Sequence, residues 1–343
     1  MIPLWERLDN AGKPIVLYGI GNGADKILDF LERRGAACSG VFASDGFARG
    51  KSYRGFTVLS YDEAKRSFGE MIVLLAFGTH RPEVIGNIKR IASEQELYAP
   101  PFPVVGCTPS GGFAAERSMK AERLRTYLAD ERSRSVFDGV LAYRLDGRLD
   151  HLFSCESGAD EIWDMLSPSA DDDYLDLGAY RGDTVAEFAA RAKTWRSIRA
   201  VEPDARSFSK LRAYCAGLDG CRCFNACIGR KAGEESFSGG MGRGSLISSG
   251  GVKTRRESVD SLLLGKRASL IKIDVEGAET EAVEGARDTI KKYAPKLLVS
   301  AYHRADDIFD IPDAVLRIRP DYRVFLRHGR CVPDWDTEYI FLP

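Results

Sequence analysis

Short apolar runs alternate with amphipathic stretches along most of the chain. Pro14 to Tyr18 is apolar, meets the glycine-rich run Gly19-Ile20-Gly21-Asn22-Gly23-Ala24, and gives way to a helical pattern that lasts through Arg34. Further apolar runs at Cys38 to Phe42 and Met71 to Phe77 end in small or polar residues. Strands alternating with helices predict a parallel sheet with right-handed crossovers. Residues 99–112 are rich in proline and glycine and mark a boundary. A charged helical stretch is expected from about Ala114 to Tyr143, and residues 144–170 read as irregular with a strand near Leu149 to Phe153.

The pattern resumes at Tyr174. Strands are expected at Tyr174 to Leu177, Ile198 to Val201, Cys223 to Cys227, Leu270 to Ile273 and Leu297 to Ala301. Helices are expected at Thr184 to Ala192, Ser207 to Ala216 and Glu279 to Tyr293. Tyr322 to Arg327 and Glu338 to Phe341 read as an antiparallel pair finishing the sheet. The expected organisation is α/β: a Rossmann-like domain at 1–112, a helical linker at 113–170, and a second Rossmann-like domain at 171–343 whose sheet is mostly parallel with an antiparallel C-terminal strand.

A chain of 343 residues with 44% apolar and 29% charged residues suits two soluble domains. Lysine plus arginine (49) and aspartate plus glutamate (50) nearly cancel, so neither nucleic acid nor an acidic membrane is the expected partner. The start lacks an export signal and no run reaches the ~20 apolar residues of a membrane span, so a cytoplasmic location is expected. Homo-oligomerisation stays open. The eight cysteines then read as free thiols. Cys221, Cys223 and Cys227, with Cys215 nearby, are spaced C-x-C-x3-C rather than in C-x2-C pairs, and read as small apolar residues around a strand rather than a zinc site.

The central chemical signal is Asp176-Leu177-Gly178-Ala179-Tyr180-Arg181-Gly182-Asp183-Thr184, directly between a strand and a helix. Gly178 and Gly182 let the backbone turn tightly against a ligand, and the helix start at Asp183 and Thr184 offers N–H groups to a carboxylate. Asp176 suits an ammonium group. Glu202, in Val201-Glu202-Pro203-Asp204, ends the next strand and suits two ribose hydroxyls. Asn225 and Ala226 end a third and suit an adenine edge. A ribose without a phosphate, joined to an amino-acid tail, fits S-adenosylmethionine better than a dinucleotide.

Ile271-Lys272-Ile273-Asp274-Val275-Glu276-Gly277-Ala278-Glu279, Glu284-Gly285-Ala286, Pro295 and Ser300-Ala301-Tyr302-His303 resemble the FkbM family of methyltransferases. The resemblance spans roughly residues 120–343. It implies a class I S-adenosylmethionine fold and O-methylation of a hydroxyl on a sugar, glycan precursor or related natural product. It carries cofactor roles to Asp176, Gly178, Gly182 and Glu202, and places Asp274 and Glu276 beside the transfer site. Tyr180-Arg181 departs from the family, where small or amide residues are commoner.

Methyl transfer to an alcohol is helped by a general base. Of the four histidines (His80, His151, His303, His328), His303 is the leading candidate, at a strand end; Asp274 is second, also as a cofactor contact. A divalent cation on Asp274 or Glu276 is a third option. Glu279 reads as first-turn helix charge. The loop Gly239 to Ser245, with Arg243, reads as a mobile flap or a hairpin tip. Gly19-x-Gly21-x-x-Ala24, with Asp45 after the next strand, fits a dinucleotide fingerprint. Tyr53-Arg54-Gly55-Phe56 beside it resembles the nucleotide-sugar-binding domain that precedes some sugar acetyltransferases. That implies a nucleotide or nucleotide-sugar ligand. The contrasting functional class is a non-catalytic binding or regulatory protein on a relic methyltransferase fold.

Overall fold

The computed structural model describes residues 2–48, 50–106, 115–238, 246–247 and 252–343. The chain forms two compact units that interleave in sequence. Unit 1 is Met1–Phe102, Ser135–Glu156 and His328–Trp335; unit 2 is Pro103–Arg134, Ser157–Arg327 and Asp336–Pro343. This differs from the expected division at 112 and 170. The stretch between those positions supplies helices to both units, and a short C-terminal segment returns to unit 1.

Unit 1 runs α1 (Leu4–Asp9), β1 (Ile15–Tyr18), α2 (Asn22–Arg33), β2 (Cys38–Phe42), α3 (Asp45–Ala48), β3 (Ser52–Tyr53), β4 (Phe56–Leu59), α4 (Tyr61–Phe68), β5 (Ile72–Leu75), α5 (Pro82–Glu94) and β6 (Glu96–Tyr98). Its sheet has the order β3-β4-β2-β1-β5-β6, parallel except for the β3–β4 hairpin. β1 and β5 are buried at every position, as in parallel sheets covered on both faces. Ala24, Ile27, Leu28 and Leu31 form the buried stripe of α2. A Ser60–Glu63 capping box starts α4, and Pro82 opens α5.

Between residues 115 and 166 the elements are helices: α6 (Ala115–Tyr127), α7 (Glu131–Asp146), α8 (Leu149–Ser154) and α9 (Ala159–Leu166). The single helix expected from Ala114 to Tyr143 is thus two, and the strand expected near Leu149 is α8. Its apolar residues are too few to show a period. Only Leu149 and Leu152, three apart, are buried on it.

The seven-stranded sheet of unit 2 begins with β7 (Asp173–Leu177), α10 (Asp183–Ala192), β8 (Ser197–Val201), α11 (Ala205–Cys215) and β9 (Cys221–Phe224). A small second sheet follows from β10 (Cys227–Ile228), β11 (Gly233–Ser238), β12 (Leu246–Ile247) and β13 (Val252–Glu257), in the order β10-β13-β11-β12. The expected strand from Cys223 to Cys227 is therefore split between two sheets. The loop Gly239 to Ser245, with Arg243, lies outside the described residues. Then come α12 (Val259–Leu263), β14 (Leu270–Ile273), α13 (Glu279–Gly285), α14 (Arg287–Tyr293), β15 (Lys296–Ser300), α15 (Asp307–Ile318), β16 (Arg323–His328) and β17 (Thr337–Leu342). The main sheet has the order β16-β17-β15-β14-β7-β8-β9. Strands β9, β8, β7, β14 and β15 are parallel and β17 is antiparallel to β15. The strand order reverses between β7 and β14, and ligand crevices open at the carboxyl ends of such a switch point. No helix among the described residues is long and apolar enough to cross a membrane.

Glycine spacing gives a stability test in unit 1. A Cβ on Gly23 would lie 2.1 Å from the Ala76 carbonyl oxygen, whereas one on the exposed Gly86 of α5 meets nothing within 4 Å. Gly23→Ala is expected to destabilise the chain by ~2 kcal/mol or more through forced overpacking. Gly86→Ala is expected to stabilise it by ~0.5–1 kcal/mol through helix propensity. Urea denaturation of both variants checks the pair; equal midpoints would rule out the close α2–β5 approach.

Candidate active site

At the carboxyl end of β7 the chain enters a bend that few side chains tolerate. Gly178 has φ +83°, and a Cβ there would lie 1.7 Å from the Asp274 carbonyl oxygen. Tyr180 is left-handed at φ +45°, and Gly182 at φ +95° caps α10, where a Cβ would meet the Tyr214 ring at 2.8 Å. Ala179 is fully buried beneath the turn and Asp183 is exposed on the first turn of α10. The Arg181 guanidinium lies 4.7 Å from the centroid of the Tyr180 ring, so the unusual Tyr-Arg pair is a cation–π contact.

Three carboxylates come from three neighbouring strand ends. Asp176 on β7 is fully buried; its Oδ2 accepts a 2.5 Å hydrogen bond from the Thr184 hydroxyl, and its Oδ1 accepts none from the protein. Glu202, after β8, is 7% exposed; its Oε2 accepts from the Tyr180 N–H at 2.9 Å and its Oε1 from the Asp204 N–H at 2.8 Å. Burial pushes the Glu202 carboxyl up to about 7, with Asp204 and Asp176 adding repulsion against the pull of those amides. Asp274, after β14, takes the Lys272 ammonium at 3.3 Å and the Tyr302 hydroxyl at 3.4 Å. Lys272 is itself 5% exposed and 3.7 Å from Asp176. Burial opposes its charge, but Asp274 and Asp176 outweigh that and hold the ammonium protonated. Asn225 places its side-chain N–H on the carbonyls of Glu202 (2.9 Å) and Pro203 (3.0 Å). That donor is committed to the backbone, beside the buried Ala226.

His303 follows β15 and is 1% exposed. Its Nδ1 faces Glu279 Oε1 at 2.9 Å, and its Nε2 lies 3.5 Å from both Asp274 Oδ1 and Glu276 Oε2. Burial works against an imidazolium, but Glu279, Asp274 and Glu276 together raise it to about 9. Glu276 has φ +54° and a side chain 28% exposed. Burial lifts its carboxyl to about 7 against the pull of His303, and the charges of Asp274, Glu279 and Glu202 add to the lift. Glu202 and Glu276 thus lie close enough for their charges to repel one another.

The sequence reads Glu279 as first-turn helix charge. The cap of α13 is Ala278. Glu279 is fully buried, accepting the Val275 (2.9 Å) and Gly277 (3.2 Å) N–H groups while facing His303. Lys272 and Tyr302 were missed; a lysine inside the apolar run Leu270 to Ile273 was the available signal. Asp274, Glu279 and His303 also bring potential cation ligands within 4.8 Å of one another. A proton held by these carboxylates already occupies that imidazole, so a divalent cation there has to displace it.

The histidine generates a pH test. Its value in the folded protein exceeds its ordinary 6.5. The stabilisation it contributes is therefore complete below pH 6.5 and disappears as pH rises through about 9, a loss of up to ~3 kcal/mol. Side-chain NMR should find His303 charged at pH 7.5, and urea stability should fall between pH 6.5 and 9.5. Glu279→Gln should move the NMR midpoint downward. A midpoint near 6.5 in the unsubstituted protein would sink the ion-cluster description.

Among solved structures, the chain is similar over 99% of its length, and 94% of the other's, to methyltransferase FkbM from Methylobacillus flagellatus KT, with 20% identity and a TM-score of 0.74. That likeness establishes the fold. Partial likenesses extend to the fibrillarin pre-rRNA processing protein of Methanococcus jannaschii (11% identity, 51% of this chain and 68% of that one, TM-score 0.34). They also extend to precorrin-6y C5,15-methyltransferase of Geobacter metallireducens GS-15 (11%, 53% and 84%, 0.36). No curated protein matches the chain. The methyltransferase FkbM domain family matches residues 176–324, from the buried aspartate of β7 into β16. With the glycine bend, the strand-end carboxylates and the Asp274–His303 cluster all inside that span, residues 176–324 are a methyltransferase FkbM domain.

Proposed function

We propose that unit 2 transfers the methyl group of S-adenosylmethionine to a hydroxyl of a saccharide, glycan precursor or related natural product. The observation that carries this reading is Glu202, anchored by the Tyr180 and Asp204 amides at the end of β8. Each of its oxygens keeps a second lone pair for a ribose hydroxyl. The remaining residues fit the same ligand. The buried Oδ1 of Asp176, which accepts no hydrogen bond and has the Lys272 ammonium 3.7 Å away, suits an ammonium group, and the start of α10 suits a carboxylate. Gly178 has no room for a side chain.

S-adenosylmethionine supplies an electrophilic methyl carbon on a sulfonium. The protein aligns the acceptor oxygen and receives its proton. His303 was the leading base by position, yet it keeps its proton to about pH 9. Glu276 fits proton acceptance better. Its side chain is partly exposed, burial lifts its carboxyl to about 7, and the His303 imidazolium lies 3.5 Å away to stabilise its charge. Asp274 and Glu279 hold that imidazolium in place.

For unit 1, Gly19 (φ +115°) and Gly21 (φ +107°) turn tightly before α2, and the Tyr53 hydroxyl donates towards the Gly21 carbonyl (2.9 Å) and Asp25 (2.6 Å). This supports the reading as a nucleotide or nucleotide-sugar module, with the β3–β4 hairpin braced on the glycine turn.

Calorimetry with S-adenosylmethionine and S-adenosylhomocysteine tests the cofactor. Glu202→Ala should weaken binding at least tenfold, and affinity for the unsubstituted chain should rise as pH increases through 7, when Glu202 ionises. Undiminished binding in Glu202→Ala overturns the assignment. Methyl transfer onto a panel of saccharides and nucleotide sugars tests the acceptor. The single-turnover rate should rise with a midpoint near pH 7, and Glu276→Gln should slow it at least a hundredfold while sparing cofactor affinity. A midpoint near 9 would return the base role to His303, and tight cofactor binding with no turnover would favour the relic.

A further inference from the structure

Outside the crevice, unit 2 gathers three thiols that the proposed chemistry does not use. Cys215 ends α11, and Cys221 and Cys223 lie two apart on β9, so they share one face of that strand. Helix α11 packs on β9, which carries Cys215 to the same place. Their sulfurs lie within 4.8 Å of one another, Cys215 buried and the other two partly exposed. None is in a disulfide. Cys227, which the sequence spacing grouped with Cys221 and Cys223, begins the second sheet and is not part of the group.

We propose that Cys215, Cys221 and Cys223 form a three-thiolate site for a thiophilic d10 cation, Zn2+ being the one tested. Zinc–sulfur bonds of about 2.3 Å in tetrahedral geometry place sulfurs roughly 3.8 Å apart, so the cluster needs only small side-chain adjustment to close around the ion. The partly exposed Cys221 and Cys223 leave an entry path and a fourth position for water. The thiols are now linked to one another by S–H contacts. These contacts and burial raise the Cys215 thiol, and burial first of all raises Cys223 to about 12, so both are protonated before binding. Arg212, one turn earlier on α11, pulls the other way at Cys223 and offsets the net negative charge of a zinc trithiolate. The exchange balances: one Zn2+ enters, three S–H bonds break, three Zn–S bonds form, and three protons pass to the buffer with no change of oxidation state. The bound ion ties the end of α11 to β9, an edge strand of the main sheet, and closes the turn between them.

The experiment uses the full-length, tag-free, reduced chain. Zn2+ is titrated in competition with a chromophoric chelator, and Cd2+ is followed through its thiolate charge-transfer absorption. The expected result is one Zn2+ per chain, a Cd2+ band of three-thiolate intensity, proton release on binding, and a thermal midpoint that rises with Zn2+. Cys223→Ser and Cys221→Ser should each weaken Zn2+ at least tenfold, while Cys38→Ser in unit 1 changes nothing. Absence of a stoichiometric Zn2+ complex overturns the proposal, as does equal affinity in Cys223→Ser. Should a serine variant melt without metal below the assay temperature, the Cd2+ intensity of the unsubstituted chain decides: fewer than three thiolates refutes the site. Cofactor binding is a separate readout, so failure here leaves the methyltransferase reading untouched.

Discussion

The crevice of unit 2 depends on a backbone contact that only glycine permits. At Gly178 a Cβ would sit 1.7 Å from the carbonyl oxygen of Asp274, so the turns after β7 and β14 close on one another at the point where strand order reverses. The Asp274 N–H completes the approach by donating to the Leu177 carbonyl at 2.9 Å. A side chain at Gly178 would push the two turns apart and separate Asp176 from Asp274. The left-handed Tyr180 next in the bend then delivers its N–H to Glu202, which ties a third strand end to the first two.

With that spacing set, electrostatics does the remaining work. Five carboxylates (Asp176, Glu202, Asp274, Glu276 and Glu279) crowd the strand ends, and two buried cations, Lys272 and His303, stand among them. The cations are distributed unevenly. Lys272 serves Asp176 and Asp274, His303 serves Asp274, Glu276 and Glu279, and Glu202 has only backbone amides. Burial lifts Glu202 and Glu276 to about 7, and it raises Asp176 as well despite Lys272. Groups whose environments push their ionisation apart are the ones equipped for distinct roles in proton transfer.

Local chemistry and distant chemistry were unequally legible. Asp176 to Thr184 could be read because strand, bend and helix are contiguous, and glycine at 178 and 182 has a local reason, positive φ. The alternation of short apolar runs with helical patterns announced a parallel sheet for the same kind of reason. Residues 144–170 were misread because α8 and α9 are too short for a 3.6-residue period to declare itself. Glu279 was misread because first-turn charge and a buried partner for a histidine look the same until the strand end carrying His303 is placed beside it.

The amino-acid order alone marked the central strands of both sheets, the helices after β1 and β7, and the acids that end the strands, since periodicity and turn chemistry act over a few residues. The tertiary structure alone decided which of those groups meet. It divided residues 113–170 between the two units, turned the Asn225 side-chain N–H onto backbone carbonyls, set Lys272 between two aspartates, and joined Cys215 to Cys221 and Cys223. Such pairings are made by packing between elements far apart in the chain. Burial then moves a carboxyl or an imidazole by an amount that depends on every neighbouring charge, which no spacing along the chain records.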